Sequence, residues 1–147
     1  MSNQFVYGVI MLLAGVGIPI MAAMNARVGS ALASPPTAVL LLLAVACLTM
    51  TAYTLAAGWP KIQTPQLPKY YYLAGILFIF YILSITWIAP RFGIGNAVFF
   101  VLLGQIVSAA LIDHYGLFGA TQTPVDRTRF AGLCLMVVAV FLSVRRG

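Results

Sequence analysis

Two acids and one histidine are nearly all this 147-residue chain has for proton transfer near neutral pH. Asp113 and His114 are neighbours at the end of the apolar run that also holds Gln105 and Ser108. A carboxylate beside an imidazole can carry a proton near neutral pH. The same pair can instead cap a helix end or neutralise an arginine such as Arg91. Gln105 and Ser108 stand three residues apart, on one face of a helix. An amide in apolar surroundings is costly unless paired, so Gln105 either glues helices together or meets a solute. Asn25 poses the same choice between a hydrogen bond at a helix interface and a substrate contact.

Tyr81, Ser84 and Trp87 recur every third residue. Aromatic rings with a hydroxyl among them can form a wall for an organic cation, or simply pack. Gly15, Gly17 and Pro19 lie within the first apolar run. Proline donates no amide hydrogen and crowds the carbonyl four residues earlier, so Gly15 loses its helical partner. Such a segment is either a plain kink or a flexible break of the kind transporters place at binding sites. No nucleophile–base pair, metal-ligand cluster or phosphate loop is present, so no enzyme activity, catalytic residue, metal or cofactor is expected. Cys47 and Cys134, both inside apolar stretches, read as packing residues.

The elements that must position these groups follow from composition. Hydrophobic residues make up 63% of the chain and charged residues 7%, against roughly 25% charged in soluble domains. Such a chain is built for lipid. About 20 apolar residues cross a bilayer as a helix, and the apolar runs predict spans at 4–24, 35–57, 68–89, 94–112 and 124–144. The fold class is therefore all-α, one polytopic transmembrane domain over residues 1–147. Ser34 and Pro35 open the second span as N-cap and first helical residue. The fifth span reaches across only if it starts near Thr123 and Pro124, with Asp126 in its first turn. No secretory signal is expected, since residues 1–4 lack a positive n-region.

Five spans put the termini on opposite faces. The N-terminal face then holds Lys61, Lys69, Arg127 and Arg129, and the other holds Arg27, Arg91, Arg145 and Arg146. Basic residues orient a membrane chain by the difference between its faces, and here the counts are equal. Chance balance is one explanation. The other is dual topology, with copies inserted both ways and paired as an antiparallel homodimer, or a heterodimer with a related chain. Such a pair reproduces the inverted repeat of many transporters. The net charge of +6 meets lipid headgroups in this reading; no nucleic acid partner is expected.

Residues 19–29 (PIMAAMNARVG) resemble the first-helix signature of the YdcZ-type family in the drug/metabolite transporter superfamily. Residues 89–93 (APRFG), Gly104-Gln105 and residues 112–117 (IDHYGL) resemble its second signature. The resemblance spans essentially the whole chain. It implies a compact bacterial inner-membrane transporter subunit, with relatives encoded in pairs or as fused double-length chains. Its cousins, the small multidrug resistance proteins, use a first-helix glutamate to exchange protons for cations. This chain has no acid there, so that mechanism is not carried over. The expectation is a subunit moving a small molecule by alternating access in an antiparallel dimer. Asn25, Gln105, Ser108, Trp87, Tyr81 and Ser84 would line its pocket, Asp113 or His114 would couple, and residues 15–19 would flex. A dual-topology channel and a non-transporting membrane assembly partner are the alternatives.

Overall fold

The computed structural model describes residues 3–59 and 67–144; among them every regular element is helical. The five long helices are α1 (Asn3–Ala31), α2 (Pro35–Ala57), α3 (Ala74–Phe92), α4 (Ile94–Tyr115) and α5 (Arg127–Val144). A short 3-10 helix, Lys69–Leu73, precedes α3, and another, Leu117–Gly119, follows α4. All five are long and apolar enough to cross a membrane. Their outer faces are those of a lipid-solvated protein: Leu77 and Phe80 are each 72% exposed. Cys47 and Cys134, expected as packing residues, are also exposed. In a chain so apolar, a small thiol need not be inside to avoid water.

The helices form two compact units, residues 1–91 and 92–147. In the first unit, α1 runs unbroken to Ala31, well past the expected end at Met24, with Pro19 inside it. The proline removes one hydrogen bond, but both flanks remain helical, so the expected break at Gly15, Gly17 and Pro19 is a continuous helix in this structure. The turn out of α1 is a Schellman motif. Ser34 N–H reaches Gly29 O at 3.0 Å and Ala33 N–H reaches Ser30 O at 3.2 Å, with Ala33 left-handed at φ 50°. Ser34 then caps α2, its hydroxyl accepting from Thr37 N–H, and Pro35 takes the first helical position, as the sequence predicted. One residue thus serves both helix ends and fixes the α1–α2 turn.

In the second unit, α4 ends at Gly116, whose left-handed backbone (φ 62°) directs its N–H to Ile112 O. The α4–α5 connection folds back on that end: Thr123 N–H donates to Asp113 O at 2.8 Å. Helix α5 starts at Arg127, later than the expected Thr123-Pro124. Asp126 is its N-cap rather than a first-turn residue, with Oδ1 accepting from Arg129 N–H at 2.7 Å. The carboxylate satisfies an otherwise orphaned donor and meets the positive helix end. The 18 residues of α5 rise roughly 27 Å at about 1.5 Å each, close to the hydrocarbon thickness. Lys61, Arg145 and Arg146, three of the eight charges in the topology argument, lie outside the described residues.

Candidate functional site

The buried polar centre of the first unit is a pair between α1 and α3. Asn25 Nδ2 donates to Thr86 Oγ1 at 2.7 Å, and the Thr86 hydroxyl donates to Ile82 O at 2.6 Å. Asn25 and Thr86 are 5% and 1% exposed. Both belong to matching stripes. On α1 the buried positions are Ala22, Asn25, Ala26 and Gly29; on α3 they are Ile82, Ile85, Thr86 and Ala89. Each follows the i, i+3, i+4, i+7 spacing of one helix face. Small residues on α1 let the backbones approach closely, the usual basis of helix association in lipid. A Cβ on Gly29 would lie 3.0 Å from Thr86 Cγ2, 3.5 Å from Pro35 Cα and 3.6 Å from Ala38 Cβ. Three helices converge there because glycine has no side chain.

Beside this pair lies an open cleft of about 550 Å³, bounded by Gly29, Ser30, Pro35, Thr86, Trp87 and Arg91. A second, of about 370 Å³, lies between Pro35, Pro36, Leu83, Ser84 and Trp87. Trp87 borders both. The Arg91 guanidinium stands over the Trp87 ring, 4.8 Å from its centroid, and one of its nitrogens donates to Trp87 O. The cation on that ring is therefore the protein's own. Tyr81 is half-buried, and its buried hydroxyl has no hydrogen-bond partner among the described residues.

Gln105 and Ser108 belong to the second unit and are exposed on α4, as is Gly104. Neither side chain has a hydrogen-bond partner among the described residues. The groove between α4 and α5, about 490 Å³, is lined instead by Ile106, Ala109, Ala110, Gly132 and Met136, with Arg129 at one edge. Asp113 pairs with Arg129, whose Nη2 approaches Oδ2 to 2.6 Å with both side chains 36% exposed. Arg91, the partner suggested from sequence, is engaged at Trp87. His114 Nδ1 accepts from Val125 N–H at 3.0 Å, and Gln122 Nε2 donates to His114 O at 3.2 Å. Its ring also meets Tyr115 edge-on, centroids 4.8 Å apart.

Sequence reasoning missed Thr86, Gly29 and Arg129. Thr86 carried no signal in the sequence alone, because its stripe is defined by burial. It stands on the 82, 85, 86, 89 stripe of buried positions, one residue away from the exposed Trp87 that drew attention to the neighbouring face. Arg129 lies sixteen positions from Asp113, and only the fold of the intervening loop brings them together.

Five membrane-length helices with buried polar contacts and clefts at their packed ends define a multi-pass membrane protein. The chain belongs to the family described as "Putative inner membrane exporter, YdcZ", which it matches over residues 6–142. That membership makes it an inner-membrane protein of the transporter class. No curated protein and no solved structure matches it.

Proposed function

We propose that the chain is one subunit of an antiparallel, dual-topology pair that moves a small solute by alternating access. The observation that carries this reading is the polar face of α4. Gln105, near the middle of a membrane-length helix, presents an amide with no partner among the described residues, and Ser108 stands one turn away on the same exposed side. Hydrocarbon is a poor place for such groups. A second copy, or a water-filled path lined by both copies, satisfies them. The equal distribution of basic residues supports opposite insertion of the two copies.

In this reading Asn25 in the first unit and Gln105 in the second each offer a hydrogen-bonding group to the solute. Asn25 holds Thr86 through Nδ2, while its Oδ1 has no hydrogen-bond partner among the described residues and is left for a solute. Trp87, Ser84 and Tyr81 supply the wall. Pro19, which donates no amide hydrogen within α1, supplies the point at which that otherwise continuous helix bends between inward- and outward-open states. Asp113 or His114 is the coupling group, and the pair of Asp113 with Arg129 is partly exposed. His114 reports on the same loop through its bond to Val125.

Topology is the test. Single cysteines beside Lys61 and after Arg146, in a chain lacking Cys47 and Cys134, are labelled in whole cells with a membrane-impermeant thiol reagent. Dual topology predicts labelling of about half the molecules at each site. Complete labelling at one site and none at the other would leave a single orientation and remove the antiparallel homodimer.

A further inference from the structure

The geometry points to an anion, not a cation, as the occupant of the Thr86–Trp87–Arg91 cleft: a small carboxylate or other oxyanion. As a statement about cargo this deepens the transport reading and rests on it; as a statement about the cleft it stands on the side chains alone.

Three observations converge. First, residues 1–91 contain no Asp or Glu, so the first unit has no internal carboxylate for Arg91. Among the described residues the ion pair is the one between Asp113 and Arg129, in the other unit. Second, Arg91 lines the cleft and uses one nitrogen on Trp87 O. A guanidinium carries five N–H donors in a planar fork, and the rest have no partner among the described residues. That fork matches the two oxygens of a carboxylate, and such charge-assisted bonds are the strong ones. Third, the Trp87 face, the surface a cationic ligand would use, already holds the Arg91 guanidinium at 4.8 Å. An incoming cation would displace it and then meet it as a like charge.

The geometry also gives the guanidinium a defined orientation. Its bond to Trp87 O is made to a carbonyl four residues back on its own helix, and its plane is held near the indole, so little side-chain freedom remains to be lost on binding. Pro35 and Pro36 open α2 without amide hydrogens, and Thr37 N–H is taken by Ser34. The helix start beside the cleft therefore offers few donors of its own, and Arg91 carries the recognition. At about 550 Å³ the cleft is within the usual range for small-molecule sites. Its position at the end of α3 puts the charge where an anion arrives from water or from a phospholipid headgroup.

The chain's two tryptophans are Trp59 and Trp87, so Trp59→Phe leaves Trp87 as the sole indole. The full chain carrying that change, in phosphatidylcholine nanodiscs, is titrated with 4-nitrobenzoate, 4-nitrobenzamide and 4-nitrobenzylammonium. These quenchers share a shape and differ in charge. The benzoate is expected to quench Trp87 saturably at a midpoint at least about tenfold below the other two, and Arg91→Gln to raise that midpoint about tenfold, with Arg91→Lys between. Equal midpoints for the three probes, preference for the ammonium, or no change in Arg91→Gln would overturn the inference. Should Arg91→Gln not fold, the three probes on the Arg91 protein still decide.

Mass spectrometry of lipids retained through purification separates the two sources of anion. An anionic phospholipid held by the Arg91 protein and lost from Arg91→Gln identifies a headgroup phosphate as the resident. Equal lipid content together with the benzoate preference identifies a free carboxylate. Binding is read without flux, so a failed anion preference leaves the transport reading standing, and absent flux leaves the preference of the cleft readable.

Discussion

Asn25 and Thr86 show how one buried polar contact can join two helices. The threonine hydroxyl donates to its own helix at Ile82 O and accepts from Asn25 across the α1–α3 interface, so both ends of the hydroxyl are satisfied. Thr86→Val keeps the shape and removes the acceptor, leaving a buried amide nitrogen unpaired. We expect a loss of about 1 kcal/mol, the scale of inter-helix hydrogen bonds in membranes, measured by denaturant unfolding in detergent micelles. Thr86→Ser should cost less. Adding Asn25→Ala to Thr86→Val should cost less than the two single losses together. Strict additivity would show that the pair does not hold the helices together. Asn25 itself was visible from sequence because an amide is rare in an apolar run. Thr86 was not, because threonine can satisfy itself on its own helix and so attracts no suspicion.

Helix ends carry much of the defined geometry at the scale of elements. The α1–α2 turn uses Ala33 at φ 50°, a conformation that favours glycine because a Cβ crowds the backbone. Ala33→Gly is therefore expected to stabilise the first unit by about 1 kcal/mol, the lower end of the left-handed penalty for a residue with a Cβ, read as a higher unfolding midpoint. A decrease would mean that the Ala33 methyl makes contacts worth more than the backbone strain. The start of α5 falls later than the expectation. Patterning placed it at Thr123-Pro124, but Asp126 caps it and Asp113 draws Arg129 toward α4. A hydrophobic pattern marks where a helix must be apolar; it does not mark which of several capping residues the loop will present.

For the whole molecule, the balance of basic residues is the property with the largest consequence. If orientation is undecided because the two faces tie, a small bias should decide it. Two lysines added after Ser2 should drive nearly all copies to one orientation, and two added after Gly147 should drive them to the other. Each biased form alone is expected to lose transport, and co-expression of both to restore it. Full activity of one biased form by itself would show that opposite orientations are not needed. The exposed amide of Gln105 belongs to this scale as well. A single chain gives it no partner among the described residues; in the proposed pair, the second copy or a shared water path supplies one.

Composition and period determined the environment, the helical class and the second span from its cap, because each follows from local chemistry. A bilayer demands long apolar helices, and Ser34-Pro35 starts one wherever it stands. The resemblance in residues 19–29 and 89–117 pointed to the family for a related reason: those signatures are local strings. Tertiary structure alone decided the pairings of Asn25 with Thr86 and of Asp113 with Arg129, whereas Arg91 with Trp87 is a local contact one turn apart on α3. Apolar patterning specifies that a face is apolar but not which face it meets. Where every helix is hydrophobic nearly all round, the choice of neighbour is made by small residues such as Gly29 and by a few hydrogen bonds. Both act only once the helices are in contact.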